Sequence, residues 1–268
     1  MPGRRCRAGL TVVVASALAG TALAACAPGT VRVAFRPRVG ARYGYQVQVR
    51  TRSTLNIDGQ PPESRDVTAT LQVEQRVLMS GEEGSVVEVV LRTTPEDERT
   101  VLVRLDRAAQ LVGLEPAAGK DAAALGELGV PEVFPAAASA PPDRPLRPGE
   151  RWRVDSPLNL PASTPSRLVG EGRLTRLGVV AGRKAATITT VSSLQVVRRT
   201  GSAGKSEAAF EGTQRTSTTA SHDLADGAIQ QAQSTTRASY ALRLLPPVAG
   251  DPVRGRLELE VTSTTKRS

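Results

Sequence analysis

His222 is the sole imidazole in the chain, so acid–base or metal chemistry built on histidine would have to start there. One histidine does not hold zinc without further strong ligands, and none stands around it at a familiar spacing. As a general base it would need a nucleophile within hydrogen-bond reach. The chain has no Gly-x-Ser-x-Gly elbow, no phosphate-cradling glycine loop and no His-Glu-x-x-His pair. On an alternating stretch, His222 shares parity with Ala220 and Leu224 and so faces inward, with Asp223 on the opposite face; a structural or simply exposed histidine is the reading. The acidic groups Glu82-Glu83 and Glu96-Asp97-Glu98 fall in turns. A glycosidase needs two carboxylates facing one cleft, whereas turn tips flanked by Ser and Thr are ordinarily solvated; a weak cation site at Glu96 to Glu98 is the alternative. The expectation is a protein that is not an enzyme and uses no cofactor or metal.

The remaining reactive atoms are two sulfurs, Cys6 and Cys26. Arg4, Arg5 and Arg7 are followed by an uncharged stretch from Ala8 to Ala25, and Leu23-Ala24-Ala25-Cys26 closes it. A basic start, an apolar middle and small residues at the exit describe an export signal, too short and too rich in Ala, Gly, Ser and Thr for a comfortable membrane span. The run resembles the lipobox of bacterial lipoproteins. That resemblance implies diacylglyceryl attachment to the Cys26 thiol, cleavage before it, and acylation, for example with palmitate, of the new amino terminus. Two or more chains, each buried methylene adding ~0.8 kcal/mol, hold a protein stably on a bilayer. The place implied is the extracytoplasmic face of the cell membrane. An ordinary secretory signal with a coincidental Ala-Ala-Cys is the alternative. Arg4-Arg5 also fits a twin-arginine leader, but Cys6-Arg7-Ala8 stands where a large apolar pair is usual, so the export route stays open.

Of 268 residues, about 243 remain after such cleavage, and losing the three leader arginines lowers the formal charge from +9 to +6. The folded part keeps no thiol, hence no disulfide and no cysteine nucleophile; the core alone must hold it. A modest positive excess suits anionic headgroups or wall polymers and is also common on inert surfaces. Aromatic residues make up only 3%, which argues against sugar-stacking grooves and nucleic-acid platforms.

Steps of two residues dominate the rest. Residues 26–36 read as a tether. Arg32, Arg36, Arg38, Arg42, Arg50 and Arg52 precede the first acid, Asp58; they suit a basic collar near a membrane or the solvated face of a first strand. Tyr43, Tyr45, Val47 and Val49 share a face, and Asp58-Gly59 marks a hairpin. Val67, Ala69, Leu71, Val73, Val77 and Met79 continue as a half-buried strand, Val86 to Leu91 as a strand buried on much of both faces. The first β half spans 37–115, and an Ala/Pro-rich connector spans 116–148. The second half, 149–268, restarts the pattern: Gly149-Glu150-Arg151-Trp152-Arg153-Val154 echoes Gly40-Ala41-Arg42-Tyr43-Gly44-Tyr45. Hairpins follow through Ala181-Gly182 and Asp226-Gly227, and Arg256 to Thr262 closes the chain. Thr213 to Ser221 reads as a strand with a polar outer face, or equally as a glycan acceptor.

The fold class is therefore all-β: long antiparallel, hairpin-connected strands forming a curved sheet or half-open barrel, in two similar halves with little helix. The entry motifs at Tyr43 and Trp152 resemble those of a family of secreted or lipid-anchored bacterial proteins without an assigned role. The layout across 35–262 is similar to the half-open β-barrels of periplasmic lipoprotein carriers and of mycobacterial lipid-binding lipoproteins, although this chain has fewer large apolar residues and helices. The resemblance implies a membrane-anchored, non-catalytic envelope lipoprotein that binds a lipid or other amphiphile. The alternative is a structural or protein-interaction module of the envelope, with an envelope protein as partner; no nucleic acid is expected. The candidate ligand contacts are Tyr43, Tyr45, Trp152 and Tyr240, which line a groove mouth or, alternatively, the core.

Overall fold

The computed structural model describes residues 29–94, 97–107, 111–116, 141–158, 166–200, 207–245 and 252–268. Eleven strands follow in chain order: β1 Arg42–Ile57, β2 Glu63–Gly81, β3 Gly84–Thr94, β4 Asp97–Leu105, β5 Leu111–Pro116, β6 Arg151–Leu158, β7 Ser166–Val180, β8 Arg183–Thr200, β9 Glu207–Asp223, β10 Ile229–Leu245 and β11 Val253–Arg267. They form a single curved antiparallel sheet ordered β5-β4-β3-β2-β1-β11-β10-β9-β8-β7-β6. Two meanders are joined where the first strand meets the last, Tyr45 to Ile57 lying opposite Arg267 to Gly255. The edges β5 and β6 do not pair, so the sheet stays open rather than closing into a barrel.

Turn chemistry sets the long hairpins. Ala181 and Gly182 both have positive φ, 48° and 77°, the backbone of a two-residue turn whose twist matches the flanking strands. The echoed entries are structurally equivalent. The Gly40 N–H donates to the Val77 carbonyl and Val77 N–H to that of Ala41; Gly149 N–H donates to Leu174 and Leu174 N–H to Glu150. A bulge follows each partner, between Val77 and Met79 and between Leu174 and Arg176. An extra residue on one strand reverses the parity beyond it. That is why Met79, expected on the inner face, is 64% exposed. Val67 keeps the inner parity but is also exposed, because β1 flanks it on one side while β3 pairs with β2 only from Gln72 onward.

The strands outrun the core. At about 3.3 Å per residue, the 19 residues of β2 reach roughly 60 Å, yet the two apolar clusters occupy one end. One gathers Phe35, Tyr43, Tyr45, Val47, Val73, Val87, Val89 and Val103; the other gathers Val33, Leu146, Trp152, Val154, Leu174 and Ile188. Between them runs part of the segment that sequence reads as a tether. Val33, Ala34 and Phe35 are buried. Val31 bridges Leu146 in both directions, Phe35 N–H donates to the Arg107 carbonyl, and Arg36 N–H to that of Asp226. Alternation explains the packing: Val31, Val33 and Phe35 face the sheet, while exposed Arg32 and Arg36 face away. Residues 31–36 are thus a strap across the concave face at the end we call proximal.

Candidate functional site

The candidate residues are not brought together. Tyr43 and Tyr45 lie in the first apolar cluster and Trp152 in the second, its ring lying over Gly172 where a Cβ would collide with it. Tyr240, on β10, is half-buried far along the sheet. These positions give Tyr43, Tyr45 and Trp152 the packing of core residues. Cys26, the connector from 117 to 140 and Glu96 lie outside the described residues. Glu98 is claimed by Arg92, whose Nε donates to it at 2.7 Å, and Glu82 and Glu83 are exposed turn residues. Among the described residues no group of three His, Cys, Asp or Glu could hold a metal ion.

A polar plug that sequence does not single out fills the proximal end. His222 faces inward, 1% exposed, with Nδ1 3.0 Å from the Gly227 carbonyl. Burial lowers its pKa, an effect that hydrogen bond partly offsets. Asp223, expected on the outer face, is also buried, because β9 ends there and the turn folds back over it. Its carboxylate accepts from Gln230 Nε2 at 2.9 Å, Arg183 Nη1 at 3.0 Å and the Ala225 N–H at 2.9 Å, with Arg267 Nη1 at 3.7 Å. Arg267 also lies 4.8 Å over the Tyr43 ring, a cation–π contact. Tyr43 donates its hydroxyl to Asp226 at 3.0 Å. Burial pushes both phenols upward, reinforced at Tyr43 by Asp226 and opposed at Tyr45 by Arg267. This cluster ties β1, β11 and the β9–β10 turn together.

Beyond the plug, the inner face changes character in rows set by register. Ser263, Ser234, Thr218 and Thr190 lie opposite one another across β11 to β8, followed by Gly172; the next row holds Thr236, Thr216 and Ser192, followed by Gly170. Thr216 and Thr236 hydroxyls are 2.9 Å apart, and Thr218 donates to Ser234 at 3.3 Å. Ser192 Oγ and Thr265 Oγ1 are buried without a hydrogen-bond partner. Thr213 to Ser221 is a strand whose outer face is polar, with Thr213, Arg215, Ser217 and Thr219 exposed, and Thr216 and Thr218 place hydroxyls on the inner face as well. Farther out the same face turns largely apolar: Leu259, Ala238 and Leu194 in one row, interrupted by Ser53 and Gln214, and Leu55, Leu257, Tyr240, Gly212 and Val196 in the next. Leu55, Leu257, Leu259, Tyr240 and Val196 are only half-buried. The inner face is therefore a trough: a plugged end, a hydroxyl belt and an apolar reach.

The convex face is laced by cross-strand ion pairs. Arg50 and Arg52 share Asp66, Arg237 pairs with Glu260, and Arg167 pairs with Asp155. Hydrogen bonds from Arg50 and then Arg52 lower Asp66 to about 2. Arg36, counted in the basic collar, pairs with Asp143. A cavity of about 510 Å³ opens around side-chain-less Gly44, lined by Arg42, Gln72, Glu74, Arg76 and Glu88 together with the candidate residues Tyr43 and Tyr45 and with Val73 and Val90. That lining differs from the Val/Leu/Ile cavity a lipid carrier requires.

No family model matches the chain, and no curated protein matches it.

Proposed function

We propose that this chain is a lipid-anchored, non-catalytic envelope lipoprotein whose sheet receives an amphiphile along the far part of its concave face. The observation that carries the reading is the half-buried apolar reach of Leu55, Leu257, Leu259, Tyr240 and Val196, on strands that extend past the core. Monomeric soluble proteins rarely leave contiguous apolar surface open without a use. Of the residues assigned to ligand contact, Tyr240 is the one on this surface; Tyr43, Tyr45 and Trp152 serve the packing beneath it. Cys26, through the lipobox resemblance, supplies the membrane attachment.

Two measurements test the two parts. Incorporation of labelled palmitate into the full chain should vanish in Cys26→Ser; equal incorporation in the variant would sink the anchor. For the amphiphile, the environment-sensitive apolar dye N-phenyl-1-naphthylamine should gain fluorescence on binding, and Leu257→Asp, at an exposed-face position that leaves both core clusters intact, should abolish the gain. A dye signal indifferent to Leu257→Asp would favour the alternative, a scaffold or protein-interaction module.

A further inference from the structure

We infer that the hydroxyl belt is a polar subsite selective for an uncharged, oxygen-bearing head, that of an acylglycerol whose chains lie along the apolar reach. This rests on the amphiphile reading and names the class of amphiphile. Inward positions nearer the strap are Val47, Ile188 and Leu174, and those farther out are Leu259 and Leu194. Between them, hydroxyls occupy one row on four strands and the next on three, with Val261 completing it on β11, where an isosteric valine would seal the face without any polar atom to satisfy. Thr190, Ser192, Thr218, Thr236 and Ser263 are all at least nine-tenths buried, as is Thr265 one row nearer the strap, between Val47 and Ala232. Buried hydroxyls are normally paired, and Ser192 Oγ and Thr265 Oγ1 are not.

A hydroxyl both donates and accepts, which matches ester carbonyls and a free glycerol hydroxyl. The belt holds no cation for a phosphate or carboxylate. The nearest inward-facing one among the described residues, Arg267, lies outside the two rows, over the Tyr43 ring and 3.7 Å from Asp223, with its Nη1 making no hydrogen bond. On β7, Gly170 and Gly172 end the two rows, and the Trp152 ring lies over Gly172, so an aromatic wall bounds the belt on that side.

The test uses the full-length chain with a nitrobenzoxadiazole-labelled dioleoylglycerol, oleate as an anionic competitor, and N-phenyl-1-naphthylamine as a headless probe. The labelled acylglycerol should bind, and oleate should compete at least about tenfold more weakly than unlabelled dioleoylglycerol. Thr190→Val with Thr218→Val should weaken the acylglycerol about tenfold, the scale of one or two lost hydrogen bonds, and leave the headless probe unchanged. Ser192→Ala, which breaks no hydrogen bond of the fold, is the second variant and should weaken the acylglycerol about threefold. If the headless probe binds while the acylglycerol ignores both variants, or oleate competes equally, the belt is not a head-group site although the trough remains one. If wild-type protein takes up neither probe, the trough reading falls with it.

Discussion

Removing the carboxylate of Asp223 strands the guanidinium of Arg267, whose side chain is 17% exposed. Breaking a buried ion pair from one side costs about 3 kcal/mol or more, because the remaining charge stays desolvated. Asp223→Ala should therefore lower the urea midpoint by that equivalent, while Arg183→Ala, whose side chain is 55% exposed, should change it little. A full-sized loss from Arg183→Ala would mean that the surface arginine, and not Arg267, balances Asp223. His222 adds a pH dependence with a definite sign. Its folded pKa is held below the ordinary ~6.5 by burial, so the unfolded chain binds a proton that the folded chain refuses. That contribution is fully present above ~6.5 and is lost as pH falls through the unfolded value toward the folded one, with a limiting slope of about 1.4 kcal/mol per pH unit. Denaturation midpoints should fall between pH 7 and 5.5, above the main carboxylate range, and His222→Gln should flatten that fall. An unchanged slope in the variant would assign the protons elsewhere. Parity alone places His222 inside, but the partners of Asp223 come from β8, β10 and β11, which adjoin only in the folded sheet.

The strap shows what an element can hide in a short sequence. Val31-Arg32-Val33-Ala34-Phe35-Arg36 alternates like a strand, yet only one isolated bridge, to Leu146, joins it to another segment in strand fashion. Its other backbone contacts are with Arg107 and with the Asp226–Gly227 turn. Nothing local distinguishes that from a tether, whereas the β1–β2, β7–β8 and β9–β10 hairpins carry their own signals in Asp58-Gly59, Ala181-Gly182 and Asp226-Gly227. Rows of Ser and Thr are equally opaque, because alternation has no contrast when both faces carry hydroxyls. Two substitutions test the strap. Phe35→Ala should cost about 3 kcal/mol, the scale for emptying a buried aromatic site, read by chemical denaturation. Gly227→Ala should act at the same place by another route: Gly227 has φ +75°, and a Cβ there would run into the Ala34 carbonyl. Both should also raise protease cleavage ahead of residue 36. Resistance equal to wild type in both would show that the strap contributes no closure of the proximal end.

At the scale of the whole molecule, the register of β1 against β11 decides how many units the chain contains. Composition and the echoed entries read as two halves, and nothing in the amino-acid order says whether they stand apart. The structure joins them edge to edge along Tyr45–Ile57, and the first apolar cluster recruits Ala220, Ile229 and Ala232 from the second half. A sheet continuous across the junction, with a shared core and strap, has no seam at which one half could melt while the other kept its interior. Unfolding should therefore be a single cooperative event. The lone Trp152 lies in the second half and far from the junction, so its fluorescence reports that half, while far-ultraviolet circular dichroism reports the entire sheet. In urea the two signals should trace one transition with a common midpoint, and Val261→Lys, placing a charge on the buried face of β11 beside Thr51 and Thr236, should move both together. Separation of the two curves, or a shift in the dichroism alone, would mean that β6–β10 forms an independent unit and that the shared trough is assembled from two domains.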